Sequence, residues 1–262
     1  MISTNPGYSK PSSILDQAWF SHIRRPSRYL GDEINSIRKD PSTIDVSFLL
    51  AFPDIYEVGM SHLGLKILYH LLNNRKWLAA ERVFCPWVDL EKELKERRIS
   101  LTSLESSRPF SDFDIVGFSL QHELSFTNVL SMLDLSKIPF LAEERDSDSP
   151  LIIAGGPACF NPEPVASLFD AIVIGDGEEV TLEICRRIRD AKYQKVHSKK
   201  EILADLRKIR GVYVPSLFKT HYGQEGTITA IDGWAWAWMP WPTRSWRRAS
   251  RRPRPTPPLP PG

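Results

Sequence analysis

The feature that most constrains this chain is a regular alternation of short apolar segments with longer segments of helical period. Five apolar or β-branched segments are candidate buried strands, at 44–52, 81–87, 113–121, 150–158 and 170–177. The candidate helices lie between and after them, at 61–75, 89–98, 125–136, 162–169 and 178–192. Strands that alternate with helices form parallel sheets covered on both faces. We therefore predict an α/β fold with a doubly wound, Rossmann-like or flavodoxin-like, five-stranded parallel sheet.

The two ends of the chain differ in composition from this central part. Residues 1–40 are polar and basic and are predicted to be an extension that packs on a domain of residues 41–232, which ends in a small β addition. Residues 233–262 hold five Trp, six Arg and eight Pro, and are predicted to be a disordered tail. The tail could bind RNA or a membrane surface, or could be an out-of-frame end, and the second interpretation is preferred.

Charge and cysteine content exclude several classes of function. The net charge is +2, and without the six tail arginines residues 1–232 carry −4, so the domain is not expected to bind nucleic acid. No apolar run approaches the roughly 18 residues of a membrane span, and no secretory signal is recognisable. The three cysteines are scattered and fit no zinc or iron–sulfur pattern. We expect a cytoplasmic protein in a reducing compartment.

Ligands of doubly wound folds bind at the carboxyl ends of the strands, which selects the loops 53–61, 117–123, 154–161 and 175–179. The last of these, in "AIVIGDGEEV", joins a strand to a helix through glycines, a pattern typical of phosphate sites. Its carboxylates, Asp176, Glu178 and Glu179, would repel phosphate, although the two glutamates could instead satisfy the start of the helix. The loop also lacks the third glycine of a dinucleotide-binding motif.

Three of these loops, taken in order, resemble a known pattern. Asp54, Tyr56 and Gly59 have the spacing Asp-x-Tyr-x-x-Gly, Ser119 follows the third strand, and "GGP" follows the fourth. Cobalamin-binding domains carry Asp-x-His-x-x-Gly, Ser-x-Leu and Gly-Gly at these places. With "AFPDIYEVGMSHLGLKILYHLLN" and "FDAIVIGDGEE", the region from about Arg24 to about Asp232 resembles the N-terminal region of a family of cobalamin-binding radical SAM proteins. Tyr56 replaces the cobalt-ligating histidine of the motif, and Gln121 replaces its leucine.

The resemblance implies a fold of the cobalamin-binding-domain type that holds cobalamin base-off and without a histidine ligand. The implied cofactor-binding residues are Asp54, Tyr56, Gly59, His62, Ser119, Leu120, Gly155, Gly156, Pro157, Gly175, Asp176, Gly177 and Glu178. Tyr56 would lie near the lower face of the cobalt, or could be only a core aromatic residue. His62 could replace the missing ligand, although a histidine that caps or packs at a helix start is the preferred interpretation.

The family also implies a radical SAM barrel that binds a [4Fe–4S] cluster and S-adenosylmethionine through Cys-x-x-x-Cys-x-x-Cys. This sequence contains no such triplet. We therefore expect an isolated or truncated cofactor domain that is not catalytic alone and whose partner is that barrel. Two alternatives remain open: a Rossmann-like enzyme that binds a nucleotide or SAM, and a non-catalytic interaction domain with a vestigial pocket.

Overall fold

The structure, a computed structural model that describes residues 18–232, contains a central six-stranded sheet. Its strands are β1 (Val46–Phe52), β2 (Leu78–Phe84), β3 (Ile115–Ser119), β4 (Leu151–Gly155), β5 (Ala171–Val173) and β6 (Val212–Tyr213). The spatial order is β2-β1-β3-β4-β5-β6, with β1 to β5 parallel and β6 antiparallel to β5. The predicted five-stranded parallel sheet is therefore confirmed, and a short sixth strand extends its edge.

Six α-helices accompany the strands: α1 (Tyr56–Ser61), α2 (Leu63–Asn73), α3 (Val88–Arg97), α4 (Phe126–Leu135), α5 (Gly177–Tyr193) and α6 (Lys199–Leu206). Helix α2 contacts α5, and α3 contacts α4. Right-handed crossovers in this strand order place the helix after β1 and the helix after β2 on opposite faces of the sheet. The two helix pairs therefore cover the two faces, as expected for a doubly wound fold.

Three predicted elements differ in the structure. The helix predicted over 61–75 is α2, Leu63–Asn73, and a short helix that was not predicted, α1, precedes it, separated from it by the extended backbone of His62. The helix predicted over 162–169 is a 3-10 helix, Glu163–Leu168, with proline in its first turn. The strand predicted over 81–87 ends at Phe84, just before Pro86, which has no N–H for a sheet ladder.

The faces of the sheet are buried, which leaves the carboxyl ends of its strands as the place where a ligand can bind. All seven residues of β1 are buried, and Phe48 and Phe118 are among the largest fully buried side chains. The strand order reverses direction between β1 and β3, and ligands of open α/β sheets bind at such a reversal, beyond the carboxyl ends of the strands.

The chain divides into two compact units, Met1–Ser216 and Leu217–Gly262. The sheet belongs to the first. The second contains an antiparallel hairpin of β7 (Lys219–Tyr222) and β8 (Ile228–Asp232), in which His221 Nε2 lies 2.6 Å from Asp232 Oδ2. Residues 1–17 of the predicted extension and the predicted tail, 233–262, lie outside the described residues. No helix in the described range is long and apolar enough to cross a membrane.

Candidate functional site

A cleft of about 380 Å³ opens at the carboxyl edge of the sheet. Strands β1, β3, β4 and β5 supply its floor, and residues of α2 and α5 supply its other wall. Its size is within the roughly 300–1,000 Å³ typical of small-molecule sites. The floor is apolar, formed by Phe48, Leu50, Phe118, Ile153 and Val173, with Leu68 opposite. The cleft therefore suits a ligand with a flat or apolar part that enters between sheet and helices.

Six glycines leave room in this cleft. They are Gly64, Gly117, Gly155, Gly156, Gly175 and Gly177. At Gly117 a Cβ atom would lie 2.6 Å from the ring of Phe48, so only glycine lets the floor close at this place. At Gly156 the backbone has φ +110°, and a Cβ would lie 2.5 Å from the carbonyl oxygen of Leu120. The loop after β4 can follow this path only because a glycine stands at position 156.

The polar groups of the cleft are neutral or acidic. They belong to His62, Ser119, Gln121, Asp176, Glu178 and Thr181, and no lysine or arginine of the described chain lines the cleft. Glu178 and Glu179 lie in the first turn of α5, where the helix dipole favours carboxylates. A ligand with several phosphates would find no side-chain cation here.

Nine of the residues implied by the resemblance line this cleft. They are His62, Ser119, Gly155, Gly156, Pro157, Gly175, Asp176, Gly177 and Glu178. They come from four separate segments of the sequence, and the parallel sheet brings these segments together because the carboxyl ends of its strands meet at one edge.

Asp54 and Tyr56 lie outside the lining of the cleft. Asp54 Oδ1 accepts the backbone N–H of Ile55 at 2.7 Å. The hydroxyl of Tyr56 donates to Glu33 Oε1 at 3.0 Å, and its ring packs edge-on against Phe84, 5.4 Å between centroids. Burial and the neighbouring Glu33 carboxylate raise the pKa of Tyr56 to about 12. Tyr56 therefore joins α1 to the N-terminal segment.

Gly59 and Leu120 also lie outside the lining and have structural roles. A Cβ on Gly59 would lie 2.2 Å from the ring of Phe84, so glycine lets α1 approach the end of β2. Leu120 is fully buried; its N–H donates to Gly155 O at 2.7 Å, and its carbonyl accepts from Ala158 N at 3.1 Å. Leu120 therefore links the loops that follow β3 and β4.

His62 is both a cleft residue and the N-cap of α2. Its Nδ1 accepts the backbone N–H of Leu65 at 3.2 Å. A neutral imidazole that accepts at Nδ1 carries its proton on Nε2. Nε2 has no hydrogen-bond partner among the described residues and is available as a donor, whereas a metal would need its lone pair.

Two polar residues of the cleft, Gln121 and Thr181, are absent from the set implied by the resemblance. Thr181 is only 6% exposed and lies on the buried stripe of α5 with Cys185 and Ile188. Thr181 could have been identified from the sequence, because it is a polar residue at a core position of an amphipathic helix.

No cluster of three or more histidine, cysteine, aspartate or glutamate side chains in residues 18–232 could hold a metal ion.

Comparisons with known proteins identify the family. The family model for the N-terminal region of radical SAM proteins matches residues 64–215, more than half of the chain. No curated protein matches. A solved structure of the radical S-adenosylmethionine methyltransferase TsrM from Kitasatospora setae, with tryptophan substrate and a SAM analogue bound, is similar at 15% identity and a TM-score of 0.35. That similarity covers 55% of this chain and 26% of the other chain, so the matched part spans about a quarter of that protein's length. The match over residues 64–215 shows that the chain belongs to the radical SAM proteins, as an N-terminal domain of that family.

Proposed function

We propose that this chain is the cobalamin-binding module of a radical SAM protein and holds cobalamin base-off, without a histidine ligand. The observation that carries the proposal is the cleft at the carboxyl edge of the sheet. It is lined by nine of the residues implied by the resemblance to cobalamin-binding domains, and by no cation of the described chain. Membership of the radical SAM family supports it. Bound cobalamin would supply a cobalt centre suited to methyl transfer.

The residues of the cleft fit the chemistry of this cofactor. A corrin carries neutral amide side chains, which both donate and accept hydrogen bonds, so Asp176 and Glu178 can accept from them and no lysine or arginine is required. The nucleotide tail has one heteroaromatic ring, which suits the apolar floor, and its single phosphodiester would have to lie toward solvent, since no side-chain cation of the described chain lines the cleft. Ser119 offers a hydroxyl beside that floor, and Gly155 and Gly156 let the backbone approach the tail closely.

The capping role of His62 supports binding without a histidine ligand. Its Nδ1 is engaged with Leu65 N–H, so Nε2 holds the ring proton and donates rather than ligates. Tyr56 cannot take the place of the missing imidazole while its hydroxyl donates to Glu33. We therefore assign His62 as a hydrogen-bond donor to the cofactor.

A partner domain is the proposed source of the iron–sulfur cluster and of S-adenosylmethionine. Large apolar side chains are exposed in the segments that follow β1 to β4, at the same edge of the sheet as the cleft. They are Val58, Leu63, Trp87, Val88, Leu124 and Phe160. A partner domain that covered this edge would remove these exposed side chains from water. We propose that this edge faces the radical SAM barrel of the complete family architecture.

Titration with hydroxocobalamin, followed by the visible spectrum, tests the function. We expect stoichiometric retention with a base-off spectrum. Gly177→Leu should abolish retention, because a side chain at 177 enters the cleft beside Leu68 and Thr181, 3.8 and 3.7 Å from its Cβ. The matched control is Lys200→Leu, in the first turn of α6 and outside the cleft lining, which should bind as wild type.

The variant Tyr56→His tests whether the side chain at 56 lies where the structure has it, away from the cleft, or under the cobalt, as the histidine of the family motif does. Because the side chain at 56 is directed toward Glu33 and Phe84, we expect the His-off spectrum to persist in this variant. A shift to a histidine-ligated spectrum would contradict that position. Retention of a nucleotide by the wild type instead of cobalamin, or retention of neither, would overturn the proposed function.

A further inference from the structure

Thr181 presents to the cleft a hydroxyl for which the described residues provide no hydrogen-bond partner. The residue is 6% exposed, lines the cleft from α5, and makes no hydrogen bond to any described residue. Threonine inside a helix ordinarily donates to the carbonyl four residues earlier, but that bond is absent here. The hydroxyl is not one of the fully buried polar atoms without a partner in the described residues, so it is open to the cleft, where a ligand that displaces water can accept a hydrogen bond from it.

The surroundings of Thr181 leave room for such a ligand. Gly177, one turn earlier, has no side chain over the hydroxyl; a Cβ there would lie 3.7 Å from Thr181 Oγ1. The N-cap residue of α5, Asp176, makes no side-chain capping bond, so the polar start of the helix is also open toward the cleft.

The same surroundings restrict the chemistry of the ligand. The apolar floor includes Phe118 and Val173, and no cation of the described chain lines the cleft, so an anionic group buried there would find no side-chain cation to pair with. A neutral acceptor on a flat ring satisfies the hydroxyl and the floor together. An unprotonated nitrogen of a heteroaromatic base is such an acceptor.

We propose that Thr181 is a specificity-determining residue that donates a hydrogen bond to a ring nitrogen of the buried base of the ligand. The inference rests on the proposed function, since base-off cobalamin presents a benzimidazole whose second nitrogen has left the cobalt. Thr181 then selects cobamides with a benzimidazole or purine base over cobamides with a phenolic base, which lacks this nitrogen.

Equilibrium dialysis of the whole chain with three corrinoids tests this selectivity. The corrinoids are cobalamin, a cobamide with a p-cresol base, and cobinamide, which has no base. We expect the wild type to bind cobalamin about five- to tenfold more tightly than the cresol cobamide, as one hydrogen bond allows. Thr181→Val should abolish this preference by weakening cobalamin alone, and Thr181→Ser, which keeps the hydroxyl, should retain it.

The stability of the ligand-free variants provides an independent readout. Because the hydroxyl has no hydrogen-bond partner among the described residues, Thr181→Val should unfold at the same or higher urea concentration than wild type. Thr181→Ala removes the hydroxyl with a smaller side chain and serves as a second variant if valine fails to fit.

Three outcomes would overturn the inference. Thr181→Val and Thr181→Ala could keep the preference for cobalamin, they could weaken all three corrinoids equally, or Ser119→Ala could abolish the preference in their place. Failure of the proposed function has a different signature, since the wild type would then bind none of the three corrinoids, cobinamide included.

Discussion

At the scale of single residues, the adjacent glycines 155 and 156 show how differently two identical residues can contribute to one loop. Gly155 ends β4, and a Cβ there would meet only Val173, at an ordinary 3.6 Å. Gly156 has φ +110°, and its Cβ would lie 2.5 Å from the Leu120 carbonyl oxygen. The second position therefore requires glycine for backbone reasons, whereas the first tolerates a small side chain.

Gly156→Ala and Gly155→Ala form a matched pair of substitutions. We expect Gly156→Ala to lower the free energy of unfolding by about 1–3 kcal/mol or more, because alanine is strained at that φ and collides with a backbone oxygen. Gly155→Ala should remain within about 1 kcal/mol of wild type. Urea denaturation measures both, and equal losses in the two variants would contradict the assignment.

At the scale of secondary-structure elements, Arg82 fastens two segments to the edge strand β2. Its Nε donates to Glu105 Oε1 at 2.6 Å and its backbone N–H to Glu105 Oε2 at 2.7 Å, while its guanidinium lies 3.4 Å from Glu33 Oε2. The N–H of Leu104 donates to the Arg82 carbonyl at 2.8 Å. The segment around 105 thus covers polar backbone groups that an edge strand would otherwise expose.

The buried Glu105 makes stability depend on pH. Burial raises the pKa of the Glu105 carboxyl from 4.5 to about 7. Between these values the folded protein holds a proton that the unfolded chain has released, so the free energy of unfolding should fall as pH rises across this window. Glu105→Gln cannot release that proton and should show a flatter profile. Urea denaturation at several pH values compares the two proteins; parallel profiles would show that Glu105 does not titrate in this range.

At the scale of the whole molecule, the burial of the three cysteines shows how tightly the first unit is packed. Cys85, Cys159 and Cys185 are all buried, the last two at 1% and 0% exposure. Burial raises the pKa of the Cys85 and Cys159 thiols to about 12 and also raises that of Cys185. Thiolates are the reactive form, so none of the three is expected to act as a nucleophile or cluster ligand in the folded protein.

Thiol titration tests this packing. With Ellman's reagent at mildly alkaline pH, we expect the native protein to react only on the time scale of unfolding and all three thiols to react at once in guanidinium. Rapid reaction of any thiol in the native protein would show that the structure around it opens readily, and single Cys→Ser variants would identify which one.

Much of the architecture could be predicted from local patterns. The apolar run of β1 and the amphipathic run of α5 predict their elements because helix and strand periods are properties of neighbouring residues. The helix predicted from residue 61 begins at Leu63, after its capping residue His62, and the preceding short helix α1 was not predicted. A small β addition was predicted at the end of the domain, but the pairing of its first residues with β5, as strand β6, depends on contacts distant in sequence.

The sequence by itself determined the α/β class, the order of strands and helices, and the loops that could meet at one edge, since these follow from residue period and chain direction. Only the tertiary structure decided which side chains share the cleft. It directs Tyr56 toward Glu33 and brings Ser119, Gly155 and Thr181 to one cleft. These choices depend on contacts between residues far apart in the chain, and no local pattern carries that information.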